Sequence, residues 1–152
     1  LKPIDTFEEH KGATTDPDIN PNYIRPKQFM FRLQKIMDEY AGGVSAQFQT
    51  NDKLLEKGQE LLTFLKEDSA KLAAEDLHEL MRAWESVHRM YQGEAHVRSI
   101  LFRAETRWPG YYFRNDKPKM DDENWLAFCN CTYNKDTGEW NMMKKPVKYI
   151  SK

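Results

Sequence analysis

The chain has 152 residues, a formal net charge of −1 and 31% charged residues. That length buries one modest core, and its interspersed charges create no one-signed field of the kind that binds nucleic acid or a membrane surface. No window approaches the roughly 20 apolar residues of a membrane-spanning helix, and no basic-then-apolar leader opens the chain.

Residues 1–26 hold four of the seven prolines and show no sustained period, which predicts an extended connecting segment. The absence of an initiating Met before Leu1 fits a piece of a longer polypeptide. From Lys27 the pattern changes: Phe29, Leu33, Ile36, Met37 and Tyr40 share one face of a helix that Gly42-Gly43 ends. A second helix starts near Thr50 or Asn51 and carries Leu54, Leu55, Leu61, Leu62 and Leu65 on one stripe. Gly58 interrupts that stripe at a cost of about 1 kcal/mol relative to Ala, which suggests a close neighbouring backbone. Asp76 and Glu79 have capping-box spacing. The third and longest predicted helix follows, its face running through Leu77, Leu80, Met81, Trp84, Val87 and Tyr91 to Ile100 and Leu101.

Next comes R-A-E-T-R-W-P-G-Y-Y-F-R-N-D-K-P-K-M-D-D-E-N-W, Arg103 to Trp125. Two prolines keep it from being helix throughout, and its density of rings and opposed charges suits docking. Arg103, Glu105, Arg107, Arg114 and Asp116 are predicted to form charge-assisted hydrogen bonds, with guanidinium groups stacking on Trp108, Tyr111 or Tyr112. Such a network either braces the domain or docks it on a neighbour. Trp125 to Tyr133 then alternates as a strand, and Asn134 to Gly138 supply turn chemistry for a hairpin returning over Glu139 to Lys144.

Other constellations have plainer readings. Glu75-x-x-His78 and Glu85-x-x-His88 have di-iron spacing, but both lie on one helix and lack the facing ligands, so packing or surface residues are the better reading. His88, Gln92 and His96 form a polar stripe with no nucleophile nearby in sequence. Cys129-x-Cys131 lacks a second ligand pair, and its geometry suits a disulfide poorly. Reduced thiols fit a cytoplasmic protein. Ala41-Gly42-Gly43 follows a helix, the wrong context for a dinucleotide loop. Acidic neighbours of the Arg103 segment argue against single-stranded nucleic acid.

R-x-E-[ST]-R, a short turn, R-x-D-x-P and D-D-E-N-W together resemble the C-terminal domain of the fumarate reductase/succinate dehydrogenase flavoprotein family. W-P-G-Y-Y stands where most members have G-A-H, and this variant is similar to the adenylylsulfate reductase alpha-subunit branch. Asn20 to Pro26, Leu33 to Tyr40 and Lys135 to Trp140 look similar to the same branch. The resemblance implies a mainly α fold: a spectrin-like three-helix bundle over 27–106, with an aromatic, charged loop and a β-hairpin over 107–152 packed on it as one domain. It implies a complete enzyme that reduces adenosine 5′-phosphosulfate to sulfite and AMP. FAD would be bound outside this chain, and electrons would come from a beta subunit with two iron–sulfur clusters. On this reading the chain holds no catalytic, cofactor or metal residue and is inactive alone. Arg103, Glu105, Arg107, Trp108, Tyr111, Tyr112, Arg114, Asp116, Asp121, Asp122 and Trp125 form its packing and docking motif, facing the flavin domain or the beta subunit. The alternatives are a fumarate reductase, succinate dehydrogenase or aspartate oxidase type flavoprotein, and a non-enzymatic helical interaction module.

Overall fold

A computed structural model describes residues 23–107 and 113–148. The connecting segment expected over 1–26 therefore lies almost wholly outside the described residues, as do Trp108, Tyr111 and Tyr112. Three long helices, α1 (Pro26–Tyr40), α2 (Asp52–Asp68) and α3 (Leu77–Phe102), dominate the order of elements. Between and after them come β1 (Gln49–Thr50), a 3₁₀ turn at Ser69–Lys71, β2 (Phe113–Arg114), a short α4 (Asp122–Trp125), and the hairpin strands β3 (Ala127–Asn134) and β4 (Glu139–Pro146). The mainly α fold with a C-terminal hairpin is the one expected. The chain forms two compact units that interleave in sequence. One takes the residues up to Met37 together with Glu60–Glu94, and the other takes Asp38–Gln59 and everything from Ala95 onward.

In the first unit, Pro26 occupies the first turn of α1, where its missing N–H is not needed. Phe29 and Leu33 of α1 are buried, as are Leu62 and Leu65 of α2. Ile24 closes this core by a parallel bridge, accepting from Ala73 N at 3.0 Å and donating to Lys71 O at 2.8 Å. Asp76 caps α3 by accepting from Glu79 N at 2.7 Å. The reciprocal arm of the expected capping box reaches one residue further back, because Glu79 accepts from Glu75 N at 2.8 Å.

The face of α3 differs from the expected one. Leu77 and Met81 are 67% and 55% exposed, while Leu80, Ala83, Ser86, Met90, Gly93, Val97 and Ile100 are buried. Trp84, Val87, Tyr91 and Leu101 are half-buried. Small residues explain the rotation. A Cβ on Gly93 would come within 3.2 Å of Met37 Sδ and 3.4 Å of Leu33 Cδ1, so the bare helix surface there is what lets α1 side chains close in. Ser86 is tolerated in this face because its hydroxyl donates to Arg82 O at 2.7 Å.

In the second unit α1 ends as expected. Gly42 takes φ 82°, the left-handed conformation of a helix terminus, and Thr50 Oγ1 donates to the otherwise orphaned Tyr40 carbonyl at 2.8 Å. Asn51, rather than Thr50, caps α2 by accepting from Leu54 N at 3.0 Å. Thr50 instead belongs to β1, which pairs in parallel with β2 through Gln49↔Phe113 and Thr50↔Arg114. The close neighbour at Gly58 is a side chain rather than the expected backbone: Tyr40 Cβ lies 2.9 Å from where a Cβ on Gly58 would sit. Gly58→Ala is thus expected to lower stability despite a helix-propensity gain of about 1 kcal/mol. Thermal unfolding of the variant checks this; a rise in midpoint would show that α1 yields.

The hairpin runs in continuous register from Ala127↔Pro146 to Asn134↔Glu139. Ala127, Cys129, Cys131 and Tyr133 are half-buried, while Phe128 is 61% exposed, in keeping with the predicted alternation. Trp125 is not part of the strand. Asp121 accepts from Asn124 N at 3.1 Å and so starts the turn of α4, which takes Trp125 out of the extended run.

Candidate functional site

The charged residues picked out in sequence assemble into two linked networks, both within the second unit. The first is centred on Glu105, whose side chain is fully buried. It accepts from Arg103 Nη1 at 2.6 Å, from Arg107 Nε and Nη2 at 2.7 and 3.0 Å, and from Asp121 N at 2.8 Å. Arg107 Nη2 also donates to Asp122 at 2.8 Å. Arg103 continues outward to the carbonyls of Trp125 and Ala127, at 3.0 and 2.6 Å. Burial pushes the Glu105 carboxyl up, but the hydrogen bonds from Arg107, Asp121 N and Arg103 together hold it below its ordinary value. The same contact with Glu105 raises Arg107.

Arg114, also fully buried, forms the second centre. It donates Nη1 to the Ile100 carbonyl at 2.8 Å and binds Asp116 through Nε and Nη2 at 3.0 and 2.9 Å. Its Nη2 also bonds Asp52, which in turn bonds Lys117. Burial alone would lower Arg114, yet Asp116 and Asp52 raise it. Asp116 is held far below the carboxylate range, first by its hydrogen bond from Arg114. Thr106 joins the networks: its Oγ1 accepts from Arg114 N at 2.9 Å and donates to Lys117 O at 2.8 Å.

Trp125 covers the first network. Its ring meets Phe102 edge-on at 5.6 Å, Lys144 Nζ lies 3.4 Å from its centroid, and the Arg103 guanidinium lies 6.0 Å away. Arg103 thus lies within cation–π reach of Trp125; the predicted partners Trp108, Tyr111 and Tyr112 are outside the described residues. Asp52, Thr106 and Lys117 were not singled out from sequence. Asp52 lies 62 positions from Arg114, and in the first turn of a helix it reads only as a favourable dipole partner.

The other candidates lie outside these two networks. His78, His88 and His96 are exposed; Glu75 pairs with Arg25 at 2.8 Å, and Glu85 with Arg89 at 3.6 Å. Among the described residues no three His, Cys, Asp or Glu side chains gather as metal ligands, and Cys129 and Cys131 are free thiols. The Gly42-Gly43 turn does not fit the phosphates of FAD. The Gly42-Gly43 turn closes the negative end of α1, and the Asp38 carboxylate beside it accepts from Ser45 N at 3.0 Å, so a phosphate there would meet like charge. Among the described residues no helix is long and apolar enough to cross a membrane.

A helical domain whose R-x-E-T-R and D-D-E-N-W segments interlock around buried charges defines a class. Residues 31–151 match the family model described as fumarate reductase flavoprotein C-terminal, and the chain belongs to that family. It is 47% identical over 149 residues to the adenylylsulfate reductase subunit alpha of Megalodesulfovibrio gigas, covering 98% of this chain and 22% of that protein. It is similar to the solved adenylylsulfate reductase of the hyperthermophile Archaeoglobus fulgidus, with 53% identity and a TM-score of 0.87 over 97% of this chain and 23% of that one. Quinol fumarate reductase of E. coli shares the fold alone, at 19% identity and a TM-score of 0.73, over 84% of this chain and 22% of that one. The chain therefore spans less than a quarter of the length of these relatives.

Proposed function

We propose that this chain is the C-terminal helical domain of the FAD-carrying alpha subunit of a cytoplasmic adenylylsulfate reductase. The observation that carries the reading is the 47% identity to such a subunit across 98% of the chain. In that enzyme adenosine 5′-phosphosulfate takes up two electrons, its sulfur–oxygen bond breaks, and sulfite and AMP leave. The flavin and the nucleotide would be held by parts of the polypeptide beyond these residues, and the electrons would come from an iron–sulfur beta subunit.

The contribution of this domain is positional. Arg107 is held by Glu105 and Asp122, and Phe113 N donates to the Phe48 carbonyl at 2.7 Å. The residues that flank the W-P-G-Y-Y segment, Arg107 and Phe113, are therefore held by the domain, which supports Trp108, Tyr111 and Tyr112 as a docking element for the flavin domain or the beta subunit. The buried guanidinium groups act as the brace behind it.

The test is co-expression of the complete alpha polypeptide with its beta subunit, recording flavin and iron–sulfur absorbance and AMP release from adenosine 5′-phosphosulfate with a reduced dye. Turnover is expected, and Trp108→Ala is expected to reduce recovery of the coloured complex. Fumarate reduction in its place would move the protein to the fumarate reductases. A colourless, inactive product would favour the interaction module.

A further inference from the structure

The loop that joins α1 to β1 is bent back tightly on the end of its helix. Asp38 Oδ1 accepts from Ser45 N at 3.0 Å, and Asp38 Oδ2 accepts from the Ser45 hydroxyl. Gly43 makes this closure sterically possible, because a Cβ there would come within 2.5 Å of Asp38 Cα and 2.8 Å of Asp38 O. Three turn bonds follow. Gln47 N donates to Val44 O and Phe48 N to Gly43 O, each at 2.9 Å, and Gln49 N donates to Ala46 O at 3.0 Å.

The same loop holds a backbone conformation that its residues disfavour. Gln47 and Phe48 take φ 54° and 58°, the positive values found outside glycine among the described residues. An L side chain in this region crowds its own backbone, and a bulky ring such as phenylalanine is rarely found there. Such strain persists only where the surroundings over-determine it. Here the Asp38 carboxylate holds one end of the loop, and the pairing of β1 with β2, two residues long, holds the other. The bond that opens this pairing is Phe113 N to the Phe48 carbonyl at 2.7 Å, so the group that anchors Phe113 belongs to a strained residue. Arg114, next along β2, is held separately, its N–H donating to Thr106 Oγ1 at 2.9 Å.

We propose that Asp38 is a positioning residue for the docking element: its carboxylate clamps the strained loop shut and so keeps the Phe48 carbonyl on Phe113, which fixes the C-terminal flank of the W-P-G-Y-Y segment. Without the clamp, Gln47 and Phe48 relax toward negative φ, the Phe48 carbonyl turns away, and Phe113 is released while Arg114 stays in place. The loop is a strap under tension, closed in this structure. Its link to docking rests on the preceding reading; the clamp itself does not.

Residue-resolved hydrogen exchange on the complete alpha polypeptide reads the clamp without reference to activity. In Asp38→Ala the Phe113 amide is expected to exchange about tenfold faster than in the parent, since the charge-assisted bonds to Ser45 are gone. The Arg114 amide is expected to keep its parent rate. Adding Gln47→Gly to Asp38→Ala is expected to slow Phe113 again by about fivefold, because glycine adopts positive φ without steric cost. An unchanged Phe113 rate in Asp38→Ala would overturn the clamp, as would equal acceleration at Phe113 and Arg114; no recovery with Gln47→Gly would overturn the role of strain. Recovery of the coloured complex with the beta subunit is measured on the same variants, and is expected to fall with Asp38→Ala and return with the pair. Full recovery of the complex while Phe113 exchanges freely would overturn the link to docking and leave the reductase reading intact. A colourless parent would remove that reading, and the exchange rates would still decide the clamp.

Discussion

Arg114→Met is expected to lower stability by about 3 kcal/mol, the low end for breaking a buried ion pair, or roughly 6–12 °C in midpoint for a domain of this size. The low end applies because Asp52 and Asp116 are 45% and 27% exposed and can regain water once the guanidinium is gone. What cannot be regained is the donor to the Ile100 carbonyl, which the methionine leaves without a partner. Arg114→Lys is expected to fall close to the methionine variant, since one ammonium cannot reproduce a planar fork that reaches Asp52, Asp116 and a helix-end carbonyl together. Denaturant unfolding at unchanged slope distinguishes this loss from a change in the unfolded chain. A lysine variant as stable as the parent would mean that charge, not fork geometry, is what the site requires.

Glu105→Gln comes second, at about 2–3 kcal/mol. Glutamine keeps the shape and one acceptor oxygen, but it leaves Arg103 and Arg107, 16% and 19% exposed, without their shared counter-ion. Its pH dependence is a sharper test than its size. The folded-state value of Glu105 lies below its ordinary one, as does that of Asp116. Their stabilisation is therefore complete above the unfolded values of about 4 and is lost as pH falls through the lower folded values. Below about pH 4 the parent is expected to lose stability more steeply than Glu105→Gln, because the variant has already lost one of the two groups. Parallel curves from pH 5 to pH 2 would show that Glu105 is not linked to folding in this way.

The residues that carry the site were largely visible in the chain itself. Opposed charges at Arg103, Glu105 and Arg107 sit within four positions of one another, and Arg114 and Asp116 are two apart, so their pairing needs only a local bend. The aromatic and acidic D-D-E-N-W segment was likewise apparent, but its conformation was not. Alternation from Trp125 onward reads as strand, yet one side-chain cap at Asp121 turns that tryptophan into a helical turn, where its carbonyl can meet Arg103. A few local hydrogen bonds around Asp121 outweighed a hydrophobic pattern.

Helix positions, the stop at Gly42, the hairpin and its turn all follow from local causes: apolar period, left-handed backbone at glycine, and turn chemistry. These act over a few residues and can be read in one dimension. The working face of α3 and the completion of the Arg114 cluster cannot. Large apolar residues proposed one face for α3, whereas Ala83, Ser86 and Gly93 made another face the buried one, because close approach of α1 rewards absent side chains that no hydrophobicity count registers. Asp52 reaches Arg114 only after the chain has folded across 62 positions, since burying a guanidinium demands counter-charges from whichever elements the packing brings beside it.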